Sequence, residues 1–331
     1  MIKKIVLTGD RPTGRLHLGH YVGSLKSRID FQEGHDQYII IADMQALTDN
    51  FEHAGKIAEN VFELTLDYLA VGLDPQKNTI FIQSCVPALS ELCNLFMNVV
   101  TMARLERNPT VKEEIRTKYL NKGIPAGFFC YPVSQAADIV AFGADIVPVG
   151  NDQLPMIEQS NEIVHKFNQL YGDGCLKEVK AFLSENPRLP GIDGVRKMGK
   201  SLGNAIYLSD EDCEIRAKVH SMYTDAKHLR VSDPGEVQNN VVFMYLDVFY
   251  TDKEHLASLK AEYKKGGLGD VHLKNLLTQV LIDLIGPIRE KRKSFKRADL
   301  IDILKKGTAK ASNVAQNTLW DIKSRMRINY F

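Results

Sequence analysis

Two histidines stand three positions apart in the segment Gly9–His20, which reads GDRPTGRLHLGH and follows a short β-branched run near the start of the chain. Its glycines and proline predict a tight turn, with a helix beginning near Leu18. Free N–H groups and the positive end of the dipole at a helix N-terminus attract phosphate. His17 and His20 would share one face of that helix, and Gly19 lets a ligand approach the backbone. This histidine motif predicts a phosphate site.

A second group of reactive side chains lies on a glycine-flanked segment and reads Lys197-Met198-Gly199-Lys200-Ser201. Two lysines and a hydroxyl suit a polyphosphate whose charge grows as a bond breaks. Taken alone, the pattern fits a solvated basic loop equally well. Combined with the histidine motif, it favours phosphate chemistry on a mobile loop, here called the lysine loop and placed at residues 191–204.

Composition limits the classes of protein to consider. The 331 residues predict two domains, and 44% hydrophobic with 25% charged residues is typical of a globular chain and excludes wholesale disorder. No apolar stretch is long enough to span a membrane, and the first ten residues favour a strand over a signal peptide. The net charge of +1 means that a polyanionic partner must meet a local basic patch. The 5 cysteines lack metal-site spacing, which predicts free thiols in a reducing cytoplasm and no protein-bound metal.

The first part of the chain alternates strand and helix patterns. Strands are predicted at Lys4–Thr8, Gln37–Ala42, Thr79–Gln83 and Asp145–Val149, and the apolar runs suit strands buried on both faces. An apolar helical face from Ile57 to Tyr68 separates the second strand from the third. The order predicts an α/β fold with a doubly wound parallel sheet, which binds ligands at the carboxyl ends of its strands.

The carboxy-terminal part carries only helical patterns. Thr251–Glu254 predicts a capping box, a leucine-rich stripe predicts a helix that ends before Pro287, and Asp299–Lys306 and Ala311–Met326 predict two more helices. These patterns divide the chain into an α/β domain at 1–205 and an all-helical domain at 206–331.

The two motifs together resemble the HIGH and KMSKS signatures of the class I aminoacyl-tRNA synthetases. This chain departs from them at Leu18 and Gly199 and keeps every reactive side chain. The resemblance implies a Rossmann-like core that joins an amino acid to AMP, with ATP and Mg²⁺, and then transfers it to tRNA. The substrate carboxylate is the nucleophile, so the enzyme supplies alignment and charge. By resemblance, His17 and His20 act at the α-phosphate, and Lys197, Lys200 and Ser201 at the leaving pyrophosphate.

The segments Tyr131–Ile139 (YPVSQAADI) and Asp145–Gln153 (DIVPVGNDQ) resemble the substrate pocket of the tryptophan and tyrosine members, and together they resemble the bacterial tryptophan branch. Asp138 is then expected to accept the indole N–H, which is a donor only. By the same resemblance, Tyr131 and Gln153 contact the substrate amino group, and Gln135 and Leu7 line the pocket.

Three alternatives remain open. A tyrosine enzyme would also use an aspartate, but it would usually add a tyrosine hydroxyl from the first strand, where this chain has Leu7. A small-molecule nucleotidyltransferase shares the histidine turn but is usually about half this length. A non-enzymatic paralogue would be expected to lose the histidines or lysines.

The resemblance also assigns ATP contacts, position by position. They are Arg11, Pro12, Thr13, Gly19, His20, Lys112, Gly150, Asn151, Asp152, Leu189, Lys197, Met198, Gly199, Lys200 and Ser201.

Macromolecular partners follow from the resemblance as well. The helical domain would read the anticodon of tRNA(Trp), and the Lys/Arg-rich stretch Ile288–Arg297 would contact phosphates, although a solvated helix face explains it equally. The family implies a homodimer whose contact is formed by helices inserted around residues 85–145. Apolar spacing from Leu89 to Val100 allows such a contact, but core packing predicts the same residues.

Overall fold

The computed structural model describes residues 3–119, 123–183, 189–194, 196, 198–225 and 228–330. The chain folds as two compact units. The first contains Met1–Gly14, Lys26–Glu185 and Lys296–Phe331, and the second contains Arg15–Leu25 and Asn186–Phe295. Within the described parts of the chain, no helix is long and apolar enough to cross a membrane.

The first unit is built on a five-stranded sheet of order β3-β2-β1-β4-β5, in which every described pair is parallel. Its strands are β1 (Ile5–Asp10), β2 (Asp36–Ile41), β3 (Asn78–Ile82), β4 (Ile146–Val149) and β5 (Lys180–Leu183). The four predicted strands and the parallel arrangement are confirmed. Strand β5 was not predicted, because it has only four residues and lies largely exposed at the edge of the sheet, without a continuous buried apolar run.

Helices connect and cover these strands. They are α2 (Lys26–Phe31), α3 (Asp43–Asn50), α4 (Ala54–Val71), α5 (Pro87–Met97), α6 (Met102–Arg107), α7 (Pro109–Lys118), α8 (Ala126–Ala141), α9 (Leu154–Tyr171) and α14 (Arg297–Arg325). The helix predicted between β2 and β3 is α4, and it ends at Gly72, whose φ of 112° is accessible mainly to glycine. One continuous core joins the sheet to α5, α8, α9 and α14, with Leu7, Phe81 and Val133 all buried in it.

The last helix, α14, packs on the sheet of the first unit. The two helices predicted at 299–306 and 311–326 are one helix, and its residues Ala311 and Ala315 are buried in the core of the sheet. A Cβ on Gly307 would lie 1.9 Å from the Ile80 carbonyl oxygen, so only glycine allows this close approach to the edge strand β3. The boundary at 206–331 therefore differs from the observed division, because α14 buries its apolar face against β3, α5 and α8.

The second unit is mainly helical. It contains α1 (Leu18–His20), a π-helical turn at Tyr21–Leu25, α10 (Asp212–His220), α11 (Val241–Phe249), α12 (Lys253–Lys265) and α13 (Asp270–Ser294). The cap of α12 is Asp252, whose carboxylate accepts the His255 N–H at 2.8 Å, so the predicted cap at Thr251 is wrong by one residue. Helix α13 continues through Pro287, also against prediction, and Ile288 one residue later is buried. A proline removes one N–H and is tolerated when tertiary packing holds the flanking turns.

Candidate active site

The histidine motif begins the short helix α1 of the second unit. The rings of His17 and His20 have centroids 3.8 Å apart, and His17 is buried. The His17 backbone N–H donates to Nδ1 of His20 at 3.3 Å. Because Nδ1 is the acceptor there, the neutral His20 ring carries its proton on Nε2, where it is a donor for an anionic oxygen. The predicted positions of both histidines on one turn are confirmed.

The histidine motif is paired with residues that follow the lysine loop. Leu18 N–H donates to Ile206 O at 2.9 Å, and Leu208 N–H donates to Leu16 O at 3.0 Å, on either side of a β-bridge between His17 and Tyr207. Gly19 N–H also points to Sδ of Met198 at 3.4 Å. Two motifs distant in sequence are thus joined by backbone pairing inside one unit.

The lysine loop is organised around the buried Asn204. Its amide oxygen accepts Gly199 N–H at 2.9 Å, and its amide nitrogen donates to the Asp193 carboxylate at 3.0 Å. Lys200 is half-buried and begins a 3-10 turn that ends at Gly203. The predicted residue Lys197 and the side chain of Ser201 lie outside what the structure describes, and the mobility of the loop stays a prediction.

In the first unit, the turns that follow β1 and β4 lie at neighbouring strand ends. Strands β1 and β4 are parallel neighbours, with Val6 opposite Ile146. Their carboxyl ends therefore meet at one edge of the sheet, where the strand order reverses and where such folds bind ligands. The predicted ATP residues Arg11, Pro12 and Thr13 leave β1, and Gly150, Asn151 and Asp152 leave β4. The structure thus brings these two groups of predicted residues to one sheet edge.

A buried ion pair supports the turn after β1. Arg28 is 2% exposed and donates to Asp10 at 2.7 Å and to the Gly9 carbonyl at 3.2 Å. The Tyr68 hydroxyl donates to the same Asp10 oxygen at 2.7 Å. This network was not predicted from the sequence. A signal was present, since Arg28 stands one helical turn after Leu25 on an otherwise apolar face.

Asp138 is the centre of a polar cluster inside the first unit. This α8 carboxyl is 4% exposed, and its Oδ2 accepts from the side-chain amides of Gln83 at 2.7 Å and Gln45 at 2.9 Å. Gln45 N–H donates to Oε1 of Gln83 at 3.2 Å, which turns the Gln83 NH₂ toward Asp138. The other oxygen, Oδ1, is buried and has no hydrogen-bond partner among the described residues. A buried oxygen without a partner is costly, and the expectation that this atom accepts an indole N–H stays a prediction.

Burial controls the charge of this carboxyl. It raises the pKa of Asp138 from an ordinary 3.8 to about 8, and the Asp43 charge acts in the same direction against the lowering effect of the two glutamine hydrogen bonds. The two glutamines were missed by the sequence analysis, because each is a common polar residue without a motif of its own.

Helix α8 aligns the other predicted substrate contacts. Tyr131, Gln135 and Asp138 recur at positions that share one helix face. The Tyr131 hydroxyl oxygen is buried, and burial together with the neighbouring Glu114 carboxylate raises the pKa of this hydroxyl, so it stays protonated. Gln135 and Gln153 are half-buried, whereas Leu7 is buried in the core.

The remaining predicted contacts have different environments. Lys112 is exposed on α7, and Leu189 is buried.

The basic stretch 288–297 is partly neutralised by acidic side chains. Arg289 is only 11% exposed and is paired with Asp212 at 2.8 Å and Glu211 at 3.3 Å. An intramolecular acidic cluster therefore holds the Arg289 guanidinium, and the phosphate contact of the stretch as a whole stays a prediction.

The apolar residues that the sequence suggested for a subunit contact largely pack inside the chain's own first unit. Leu89, Leu92 and Phe96 are buried in the core of the chain's own first unit. Core packing therefore explains these three.

No group of three or more His, Cys, Asp or Glu side chains suited to a metal ion occurs among the residues described.

Comparison with known proteins adds independent information. Residues 3–286 match the family model described as tRNA synthetases class I (W and Y). Over 100% of this chain, a Clostridium longisporum protein named tryptophan–tRNA ligase is 54% identical, with 99% of its own length covered. The Streptococcus pyogenes serotype M3 protein of that name is 52% identical, with 100% of both covered. The crystal structure of tryptophanyl-tRNA synthetase from Campylobacter jejuni, complexed with ADP and tryptophan, superposes with a TM-score of 0.87 at 31% identity, covering 98% of this chain and 99% of that one.

Proposed function

The chain belongs to the class I tRNA synthetases of the tryptophan and tyrosine group, and we propose from that membership that it ligates L-tryptophan to tRNA(Trp). In the first step the tryptophan carboxylate attacks the α-phosphate of ATP, which forms tryptophanyl-adenylate and releases pyrophosphate. In the second step a ribose hydroxyl at the 3′ end of tRNA attacks the acyl carbon and releases AMP.

The buried Oδ1 of Asp138 is the observation that supports tryptophan. An indole has one N–H donor and no acceptor, and the Asp138 carboxylate offers one buried acceptor atom, Oδ1, that has no hydrogen-bond partner among the described residues. Gln83 and Gln45 hold Oδ2 and thereby orient Oδ1. A site that pairs one polar atom rejects analogues without it by about 10⁴-fold to 10⁵-fold in favourable cases.

The other residues supply alignment and charge. His17 and His20 are the donors that we assign to the α-phosphate oxygens, in keeping with the proton of His20 on Nε2. Lys197, Lys200 and Ser201 are assigned to the leaving pyrophosphate, with Met198 and Gly199 as the backbone of that loop. Mg²⁺ enters with ATP and neutralises phosphate charge. No protein nucleophile is required, because the substrate carboxylate is already ionised at neutral pH.

Partners complete the proposal. The exposed basic residues of α13 and the segment after it contact tRNA phosphates, and the protein acts as a homodimer in the cytoplasm, where its tRNA substrate is found. The helices around residues 85–145 carry the subunit contact through side chains other than the three buried ones named above.

Pyrophosphate exchange with each of the twenty amino acids tests the substrate. We expect exchange with tryptophan alone, and Asp138→Asn should raise the KM for tryptophan by roughly 100-fold, since a charge-assisted hydrogen bond of about 1.5–3 kcal/mol is lost. The KM for ATP is expected to stay near the wild-type value. Exchange that depends on tyrosine would select the alternative, and absence of exchange with any amino acid would contradict both.

A further inference from the structure

Asp49, in the last turn of α3, is shared by two cations from distant parts of the first unit. Its Oδ2 lies 2.9 Å from Nη1 of Arg11, in the turn after β1, and 2.8 Å from Nζ of Lys118, at the end of α7. The Tyr119 hydroxyl also donates to Oδ1 at 3.4 Å. The Asp49 side chain is 17% exposed. One carboxylate therefore ties the turn after β1 to the end of α7.

The same face of α3 reaches the Asp138 cluster. Gln45, whose amide donates to Asp138, is four residues before Asp49, so the two side chains lie one helical turn apart on one face. A single short helix thus contacts the acid assigned to the indole and the cation that leaves β1.

Some of the N–H donors of the Arg11 guanidinium are available to a ligand. The side chain is 42% exposed, and Asp49 accepts from one terminal nitrogen. A guanidinium has five N–H donors in a rigid fork, so a partner on one nitrogen fixes the direction of the remaining donors. These donors suit an anion such as a phosphate oxygen.

We propose that Asp49 is a positioning residue for adenylate formation, which holds Arg11 in the orientation that binds the ATP phosphates. The inference rests on the proposed function for the identity of the reaction. Charge alone gives the opposite expectation, because loss of an acid beside two cations should strengthen the attraction of ATP. The sign of the effect therefore separates positioning from simple electrostatics.

Steady-state pyrophosphate exchange on Asp49→Asn tests the proposal. We expect the KM for ATP to rise about tenfold with a smaller change in kcat, as for the loss of a charge-assisted hydrogen bond that orients a ligand. Asp49→Glu should recover part of the loss. Glu33→Gln is the matched control, since it removes the same charge from an exposed pair with Lys77 on the same unit. An unchanged or lower KM for ATP in Asp49→Asn would overturn the proposal.

A double-mutant cycle shows whether Asp49 acts through Arg11. In an Arg11→Met background, Asp49→Asn should change the KM for ATP by no more than about twofold relative to Arg11→Met alone, because the effects of mutations at coupled residues are not additive. A further tenfold rise in that background would mean a different role and would overturn the inference. Each assay uses whichever amino acid supports exchange by the wild-type enzyme. Exchange with tyrosine in place of tryptophan would thus contradict the proposed function and still leave the Asp49 test valid.

Discussion

The backbone N–H of Gly19 lies 3.4 Å from the sulfur of Met198, although the two residues are 179 positions apart. This contact, together with the β-bridge between His17 and Tyr207, places the histidine motif against Met198 of the lysine loop and against the residues that follow the loop. His17, Gly19 and Met198 are therefore held by one local framework inside the second unit.

Gly19→Ala tests that framework. An added Cβ would lie 3.0 Å from the His17 ring and 3.6 Å from Met198, so the ring must move. We expect adenylate formation to slow by roughly 10-fold, because the His17 ring must shift by a few tenths of an ångström and catalysis is sensitive to the placement of such groups. Gly23→Ala in the following turn is the control, because its Cβ meets nothing within 4 Å. Equal rates for both variants would argue against a role for close packing at Gly19.

The protonation of Asp138 predicts a pH-dependent affinity for tryptophan. With a pKa of about 8, the free site is mostly protonated at neutral pH. The proton is expected on Oδ1, because Oδ2 already accepts two amide N–H groups. Oδ1 can accept an indole N–H only after this proton has left. Tryptophan affinity, measured by equilibrium binding, should weaken about tenfold per pH unit below that pKa. Asp138→Asn should bind weakly with a flat profile, and a flat wild-type profile would contradict the prediction.

The same carboxyl predicts a pH-dependent stability in the absence of substrate. Its folded pKa lies above the ordinary value, so the folded state holds the proton more tightly than the unfolded state. Its contribution to stability is therefore present at low pH and is lost as pH rises from about 4 to about 8. In denaturant unfolding, the free energy of unfolding of Asp138→Asn should rise relative to that of the wild type as pH increases across that range. A difference independent of pH would show that the carboxyl is not perturbed.

The basic stretch predicts two distinct effects of mutation. Lys291 is exposed on α13, and Lys291→Glu should weaken tRNA binding and lower the slope of log affinity against log salt by about one. Arg289→Ala should instead lower the free energy of unfolding by about 1 kcal/mol, because its hydrogen bonds to the Asp210 carbonyl and the Asp212 carboxylate are lost. Filter binding at several salt concentrations measures the effect on tRNA binding, and chemical denaturation measures the effect on stability. Similar losses of tRNA affinity in two equally stable variants would mean that Arg289 does contact RNA.

Gly307→Ala tests the packing of α14 on the sheet. The new methyl group would collide with the Ile80 carbonyl, and we expect a loss of about 2–3 kcal/mol in unfolding free energy, typical of overpacking. Gly286→Ala within α13 meets nothing within 4 Å and should gain up to about 1 kcal/mol from helix propensity. Thermal or denaturant unfolding measures both. Stabilisation by both substitutions would show that α14 does not approach β3 this closely.

The sequence by itself determined the features that depend on local geometry. The alternation of buried runs and helical faces predicted four of the five strands and helix α4, because strand and helix periods act over a few residues. The histidines three positions apart, and Tyr131, Gln135 and Asp138 on one helix face, follow from the same helical period. The resemblance to a known family then assigned chemistry to those side chains.

Only the tertiary structure decided which distant residues meet. Gln45 and Gln83 have ordinary local sequences, and their contact with Asp138 depends on how α3, α8 and the end of β3 pack. Packing likewise placed α14 on the sheet and Arg289 in an internal ion pair. These outcomes follow from burial and charge pairing between segments far apart in the chain, where local periodicity carries no information.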